Sequence, residues 1–91
     1  MNEKWIVYIL RCADETLYTG ITNNLTRRHK QHNAGTASKY TRVRCPTRVV
    51  YRETQPSKSA ALKREYAIKK LTRPQKEKLI ASRKKKNGPQ K

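Results

Sequence analysis

The sequence predicts an α+β domain, a small central three-stranded antiparallel sheet flanked by helices. Three observations lead there. Trp5 to Leu10 is apolar on both alternating sets of positions, as in a strand covered on both faces. A short polar turn, Ala13 to Thr16, separates it from Leu17 to Thr22, a block rich in β-branched and aromatic residues that completes an antiparallel hairpin. The later apolar residues recur at helical spacing behind recognisable caps. A chain of 91 residues holds one domain, whose core buries only roughly 60 to 70% of the unfolded surface.

Taken in order, the first strand belongs at the sheet centre because neither of its faces is polar. Gly20 interrupts the second, and a glycine inside a strand marks a bulge or a place where backbone or ligand comes close. Asn23 and Asn24 are both N-cap types ahead of Leu25 to His32, and Asn33 to Gly35 supplies a stop. Thr36 to Pro46 reads as a basic loop containing Lys39, Tyr40, Arg42 and Arg44. Thr47 to Glu53 reads as the third strand, built on Val49, Val50 and Tyr51. Ser57 caps a second helix running to Leu71. Thr72 and Gln75 have capping-box spacing with Pro74 in the first turn, which starts a third helix ending at Arg83. Residues 1–83 are thus expected to form the domain, and the basic, Gly/Pro-containing stretch 84–91 a disordered tail.

Charge narrows the partners. There are 23 Lys and Arg against 6 Asp and Glu, a net of +17. Residues 1–26 carry −1 and residues 27–91 the remaining +18, so the first third is scaffold and the rest meets an anion. Such a surface favours polyanions, because counterions are released from phosphates as each cation docks. The apolar run Trp5 to Leu10 is far shorter than a membrane span and wrongly flanked for a secretory signal, so a cytoplasmic, nucleoid-compatible protein with no membrane partner is expected. Cys12 and Cys45 lie far apart and outside any C-x-x-C spacing, which leaves them as buried thiols rather than zinc or disulfide partners. Nothing in the sequence specifies a small-molecule cofactor or an oligomeric state.

Certain residues sit oddly for pure packing. Leu25, Arg28 and His32 share one helix face. An arginine can fork onto two phosphate oxygens and a histidine can carry a proton, so this face suits a phosphate site; it equally suits a solvated basic face with a half-buried histidine. On the second helix Ala60, Ala61, Ala67, Ile68 and Leu71 form the apolar arc, and Glu65 lies just beyond its edge among Lys63, Arg64, Lys69 and Lys70. A lone carboxylate among cations can anchor a divalent metal facing phosphate, or simply pair with Lys69 one turn on. The scarcity of acids argues against a two-metal site, and a base other than carboxylate would then be needed. Five tyrosines and no phenylalanine supply candidates. Tyr8 and Tyr18 occupy the two hairpin strands and could face one another, or serve as ordinary half-buried aromatics.

These residues together resemble the GIY-YIG nuclease superfamily, closest to its small stand-alone bacterial members. Ile6-Val7-Tyr8 stands where Gly-Ile-Tyr would be and Tyr18-Thr19-Gly20 where Tyr-Ile-Gly would be. Arg28 and His32 are similar to the family's helix with an arginine followed four residues later by a histidine or tyrosine, and Glu65 to its metal-binding glutamate. Ile6 and Thr19 depart from the motifs but spare both tyrosines and Gly20.

The resemblance implies a DNA endonuclease of low sequence specificity, linked to repair or recombination. Its single Mg²⁺ or Mn²⁺ would be held by Glu65, with Tyr8 as general base and Arg28 on the scissile phosphate. Tyr18 and His32 would orient the reacting groups or assist proton transfer. Arg27, Lys39, Tyr40, Arg42, Arg44 and Lys69 are expected to meet DNA, branched or damaged forms included. The competing readings are a non-catalytic basic module that binds DNA or RNA, and a basic domain that docks on a protein or ribosomal assembly.

Overall fold

The computed structural model describes residues 4–87. Three strands, β1 (Trp5–Arg11), β2 (Leu17–Thr22) and β3 (Arg48–Gln55), form one antiparallel sheet in the order β2-β1-β3. The doubly apolar strand is therefore the central one, as its composition requires. Four helices accompany it: α1 (Leu25–Ala34), α2 (Lys39–Arg42), α3 (Lys58–Lys69) and α4 (Arg73–Asn87).

Each face of β1 builds its own core. Val7 and Ile9 pack with Tyr51 of β3 against Ala61 and Ile68 of α3 and Ile80 of α4, all buried. Complete burial of an aliphatic side chain of this size is worth about 1.5–3 kcal/mol relative to exposure. The alternate residues Tyr8 and Leu10 pack on the other face with Leu25 of α1, edged by Ile6, Tyr18 and Val49.

Three expectations about the elements are corrected. The basic loop contains a turn of helix, α2, because the Ser38 side chain caps it by accepting the Tyr40 N–H at 3.0 Å. The third strand runs two residues further, to Gln55, because Trp5 at the start of β1 pairs with it. α4 continues past Arg83 to Asn87, so part of the expected tail has helical backbone; residues 88–91 of that tail lie outside the described residues. Ser57 caps α3 as its sequence indicates, accepting from Ala60 N. Thr72 and Gln75 exchange the two capping-box bonds at the start of α4, at 2.9 and 3.3 Å.

Candidate active site

The site is built where β1, β2 and α1 meet. Asn24 starts α1, its Oδ1 accepting the Arg27 N–H at 3.1 Å, while Asn23 stays outside the cap. Gly35 ends it in the left-handed region at φ 83°, its N–H returning to the carbonyls of Gln31 and His32. These ends fix the phase of the helix so that Leu25 and His32 face the sheet, and His32 is 1% exposed. Arg28, one turn earlier, stays half-buried, with Nη1 donating to Gln31 Oε1 at 3.1 Å.

The two tyrosines are diagonal rather than opposed. Tyr8 lies directly across from Gly20, and Tyr18 across from Leu10, so both rings project on the α1 face with centroids 6.5 Å apart. Gly20 is small because the Tyr8 phenol lies over it: a Cβ there would meet the hydroxyl oxygen at 2.6 Å. The close approach signalled by a glycine inside a strand is thus by a tyrosine ring of the neighbouring strand. The Tyr8 hydroxyl lies 2.9 Å from His32 Nε2, and His32 Nδ1 lies 2.7 Å from Thr41 Oγ1 of α2. Tyr18 meets His32 edge-on at 5.1 Å and is stacked by Tyr40 at 5.9 Å on its outer side.

Electrostatics follow from burial. Desolvation pushes the Tyr8 hydroxyl well above its usual value; Tyr18 and Glu65 add to this, and the Arg28 charge opposes it. Burial lowers His32 to about 4, helped by the nearby Arg28 and His29 charges, so its imidazole is neutral at physiological pH. Arg28 acts on the Tyr8 hydroxyl both by its charge and by a side-chain hydrogen bond, and Glu65, from a different helix, acts on it most weakly of these groups.

The acids divide clearly. Glu53 is saturated by the Tyr51 hydroxyl, Gln55 and Arg64, the last at 2.8 Å. Glu77 is held by Arg11 and Arg73 at 2.9 and 2.8 Å. Asp14 accepts from Thr16 and Arg44. Glu65, with its side chain 19% exposed, is paired among the described residues only with Lys69, at 3.3 Å. The ordinary i,i+4 pair foreseen as an alternative is therefore present, but it engages the carboxylate from one side by a flexible amine. Among the described residues no cluster of three or more His, Cys, Asp and Glu could cage a metal. A single carboxylate fits Mg²⁺ or Mn²⁺ all the same, since Mg²⁺ keeps several waters and takes its remaining ligands from substrate phosphate.

The residues expected to touch DNA separate into two sets. Arg27 and Arg28 line an open depression of about 250 Å³ with Trp5, Ile21, Thr22 and Gln31. Lys39 and Arg42 line a smaller one beside Gly35. Tyr40 and Arg44, by contrast, have inward partners: the Arg44 guanidinium lies 4.0 Å over the Tyr40 ring, donates to Tyr40 O and pairs with Asp14 at 3.0 Å. Lys69 is engaged by Glu65. The apolar arc of α3 is narrower than expected, with Ala67 exposed and less covered than Glu65. Cys12 is buried, but Cys45 is only half-buried, with its single thiol hydrogen shared between the carbonyls of His32 and Thr41, each 3.1 Å from the sulfur. Thr41 was not legible as a site residue; a threonine in a basic loop carries no signal until the loop folds back onto α1.

A three-stranded sheet with a tyrosine on each hairpin strand, an arginine on the next helix and a glutamate on a later one is the arrangement on which the resemblance to GIY-YIG domains rests. The model of the GIY-YIG catalytic domain matches residues 4–78, and the chain belongs to the GIY-YIG family of nucleases. It is 58% identical over 77 residues to a UPF0213 protein of Clostridium perfringens, covering 85% of this chain and 83% of that one. It is 56% identical over 75 residues to a UPF0213 protein of Natronomonas pharaonis, covering 82% and 88%. Among solved structures it is similar to the solution NMR structure of a UPF0213 protein from Bacillus halodurans, with a TM-score of 0.58, 44% identity and coverage of 94% and 88%. A protein of E. faecalis gives a TM-score of 0.63 at 35% identity, with coverage of 100% and 99%. Among the described residues no helix is long and apolar enough to cross a membrane.

Proposed function

We propose that this chain is a one-metal DNA endonuclease of low sequence specificity that hydrolyses phosphodiesters with Tyr8 as the base. The observation that carries the reading is the bond between the Tyr8 hydroxyl and a neutral, buried His32 at 2.9 Å, with the Arg28 and Glu65 charges both acting on that hydroxyl. A phenol held this far above its usual range does not ionise by itself near neutral pH. It can pass its own proton to His32 Nε2 while its oxygen receives one from the attacking water, so that no free phenolate forms.

Arg28 has free guanidinium donors beside the one on Gln31 and would fork onto the scissile phosphate, opposing the charge that builds in the transition state. Tyr18 holds the His32 ring edge-on and limits its rotation. Glu65 would hold the Mg²⁺ or Mn²⁺, displacing the Lys69 amine, and the metal supplies Lewis-acid stabilisation of phosphate charge when bound. Arg27, Lys39 and Arg42 would track the backbone on either side, with Lys69 once released. Tyr40 and Arg44 act chiefly by supporting Tyr18 and α2. DNA repair or recombination is the natural setting for such a nuclease, with branched or damaged DNA among its substrates, and the domain is taken to span residues 1–83.

Nicking of supercoiled plasmid and of branched DNA is measured with Mg²⁺ or Mn²⁺ for the wild type, Arg28→Ala and Glu65→Ala. Cleavage by the wild type is expected to fall at least ~100-fold in either variant. Undiminished cleavage in both rejects this site. Tight, salt-sensitive DNA binding without turnover in the wild type selects the non-catalytic module instead.

A further inference from the structure

Thr41 lies in the segment expected to be a DNA-binding loop, yet it is fully buried and points at the far nitrogen of His32. The protons along this chain of contacts can be counted. The Tyr8 hydroxyl has one hydrogen, and among the described residues His32 Nε2 is its one hydrogen-bond acceptor. Arg28, the charged neighbour, is a donor only. The Thr41 hydroxyl also has one hydrogen, and Ser38 O stands 3.4 Å away to accept it. That carbonyl already takes the Arg42 N–H at 3.0 Å, and its second lone pair is available.

Among the described residues, one direction closes this chain. With the hydrogen of a neutral imidazole on Nδ1, Tyr8 donates to Nε2, Nδ1–H donates to Thr41 and Thr41 donates to Ser38 O, so every proton has an acceptor. With the hydrogen on Nε2, the imidazole would donate to Tyr8, and among the described residues no acceptor would remain for the Tyr8 hydrogen, at a residue 1% exposed. We infer that Thr41 is a positioning residue that fixes His32 as the Nδ1–H tautomer and leaves Nε2 free to take the Tyr8 proton. The inference rests on the reading of Tyr8 and His32 as proton partners.

The surrounding structure keeps Thr41 in place for this role. Ser38 is fixed by capping α2. The Cys45 thiol bridges the backbone of His32 and Thr41, clamping α1 to α2. Tyr40, next to Thr41, is held between Tyr18 and Arg44. The hydroxyl therefore meets His32 from a support tied down on three sides, and a methyl group at the same point would keep the shape and lose the acceptor.

The test reads the imidazole nitrogens directly, by ¹⁵N NMR of the full-length protein labelled at histidine, with the His32 signals assigned from their disappearance in His32→Gln. The wild type is expected to show a protonated-type Nδ1 and an unprotonated-type Nε2 at neutral pH. Thr41→Val is expected to move His32 towards the Nε2–H form and to lower cleavage about 100-fold. Thr41→Ser, which restores a hydroxyl, is expected to recover both. A wild-type His32 protonated at Nε2, or a Thr41→Val protein that keeps Nδ1–H, overturns the inference; the wild-type spectrum decides even if Thr41→Val does not fold. Because the tautomer is read without substrate, the expected spectra in a protein that cleaves nothing would uphold the tautomer assignment to Thr41 while rejecting the nuclease reading.

Discussion

The two faces of the sheet hold together by different means. Behind β1, on the α3 and α4 side, Val7, Ile9, Ala61, Ile68 and Ile80 form a continuous apolar layer that needs no particular partner atom, while the buried Tyr51 beside them donates its hydroxyl to Glu53. On the α1 side the fully buried residues include His32 and Thr41, whose polar atoms are acceptable only because each meets another. The first face tolerates variation in detail. The second is held by specific hydrogen bonds that link Tyr8, His32 and Thr41, the atoms of the candidate site. The difference teaches that the apolar core and the candidate site are built on opposite sides of a single central strand, through alternate residues.

Ile68→Ala attacks the apolar face alone. It is expected to lower the unfolding free energy by about 2–5 kcal/mol in urea titrations, through lost burial and a residual cavity. The cleavage rate per folded molecule should stay unchanged. A variant that keeps its stability but loses cleavage would show that the two faces are coupled.

Acid separates the faces by pH. The unfolded chain protonates His32 near its ordinary value of 6.5, whereas the folded protein resists until about 4. The contribution of neutral His32 is therefore complete above 6.5 and is lost as pH falls towards 4, by as much as about 3 kcal/mol. Glu77, on the apolar side, is pulled down to about 2 by Arg11 and Arg73, so its contribution is present above 4.5 and is lost only as pH falls from there towards 2. Thermal melts against pH should show the first decline in the upper window, and His32→Gln should remove that decline without touching the lower one. A single decline confined below pH 4.5 would contradict the buried-histidine account.

Gly20→Ala tests how tightly the polar face is packed. The added methyl would press on the Tyr8 hydroxyl and ring at 2.6 and 2.8 Å, and against Tyr18 at 3.2 Å. A loss of about 1–3 kcal/mol is expected from overpacking, with cleavage falling further than stability because the displaced atom is the proposed base. Equal losses in the two measurements would argue that Tyr8 is packing and nothing more.

Much of the fold could be read along the chain because its signals are local. The doubly apolar Trp5–Leu10 run identified the central strand, Ser57 and the Thr72/Gln75 pair marked two helix starts, and Gly35 one helix end. The elements read incompletely depend on what lies across from them: β3 extends because β1 offers partners to Gln55, and α2 forms inside a basic loop through the Ser38 cap. In the candidate site, Arg28 and His32 were legible from helical spacing and Glu65 from its isolation among cations. Thr41, the spent state of Glu53 and the inward roles of Tyr40 and Arg44 were not, since each depends on a neighbour distant in sequence.

By itself the sequence determined the order of the three strands and the three longer helices, the excess positive charge, and which residue types are available for phosphate chemistry. Periodicity, capping and composition act over a few residues and need no folded partner. Only the tertiary structure decided that His32 lies between Tyr8 and Thr41, that Gly20 makes room for Tyr8, and that, among the described residues, Glu65 is the partly buried acid left with a single flexible partner. Those outcomes depend on distances between separate elements, and hydrogen bonds and steric limits change over tenths of an ångström that no spacing along the chain encodes.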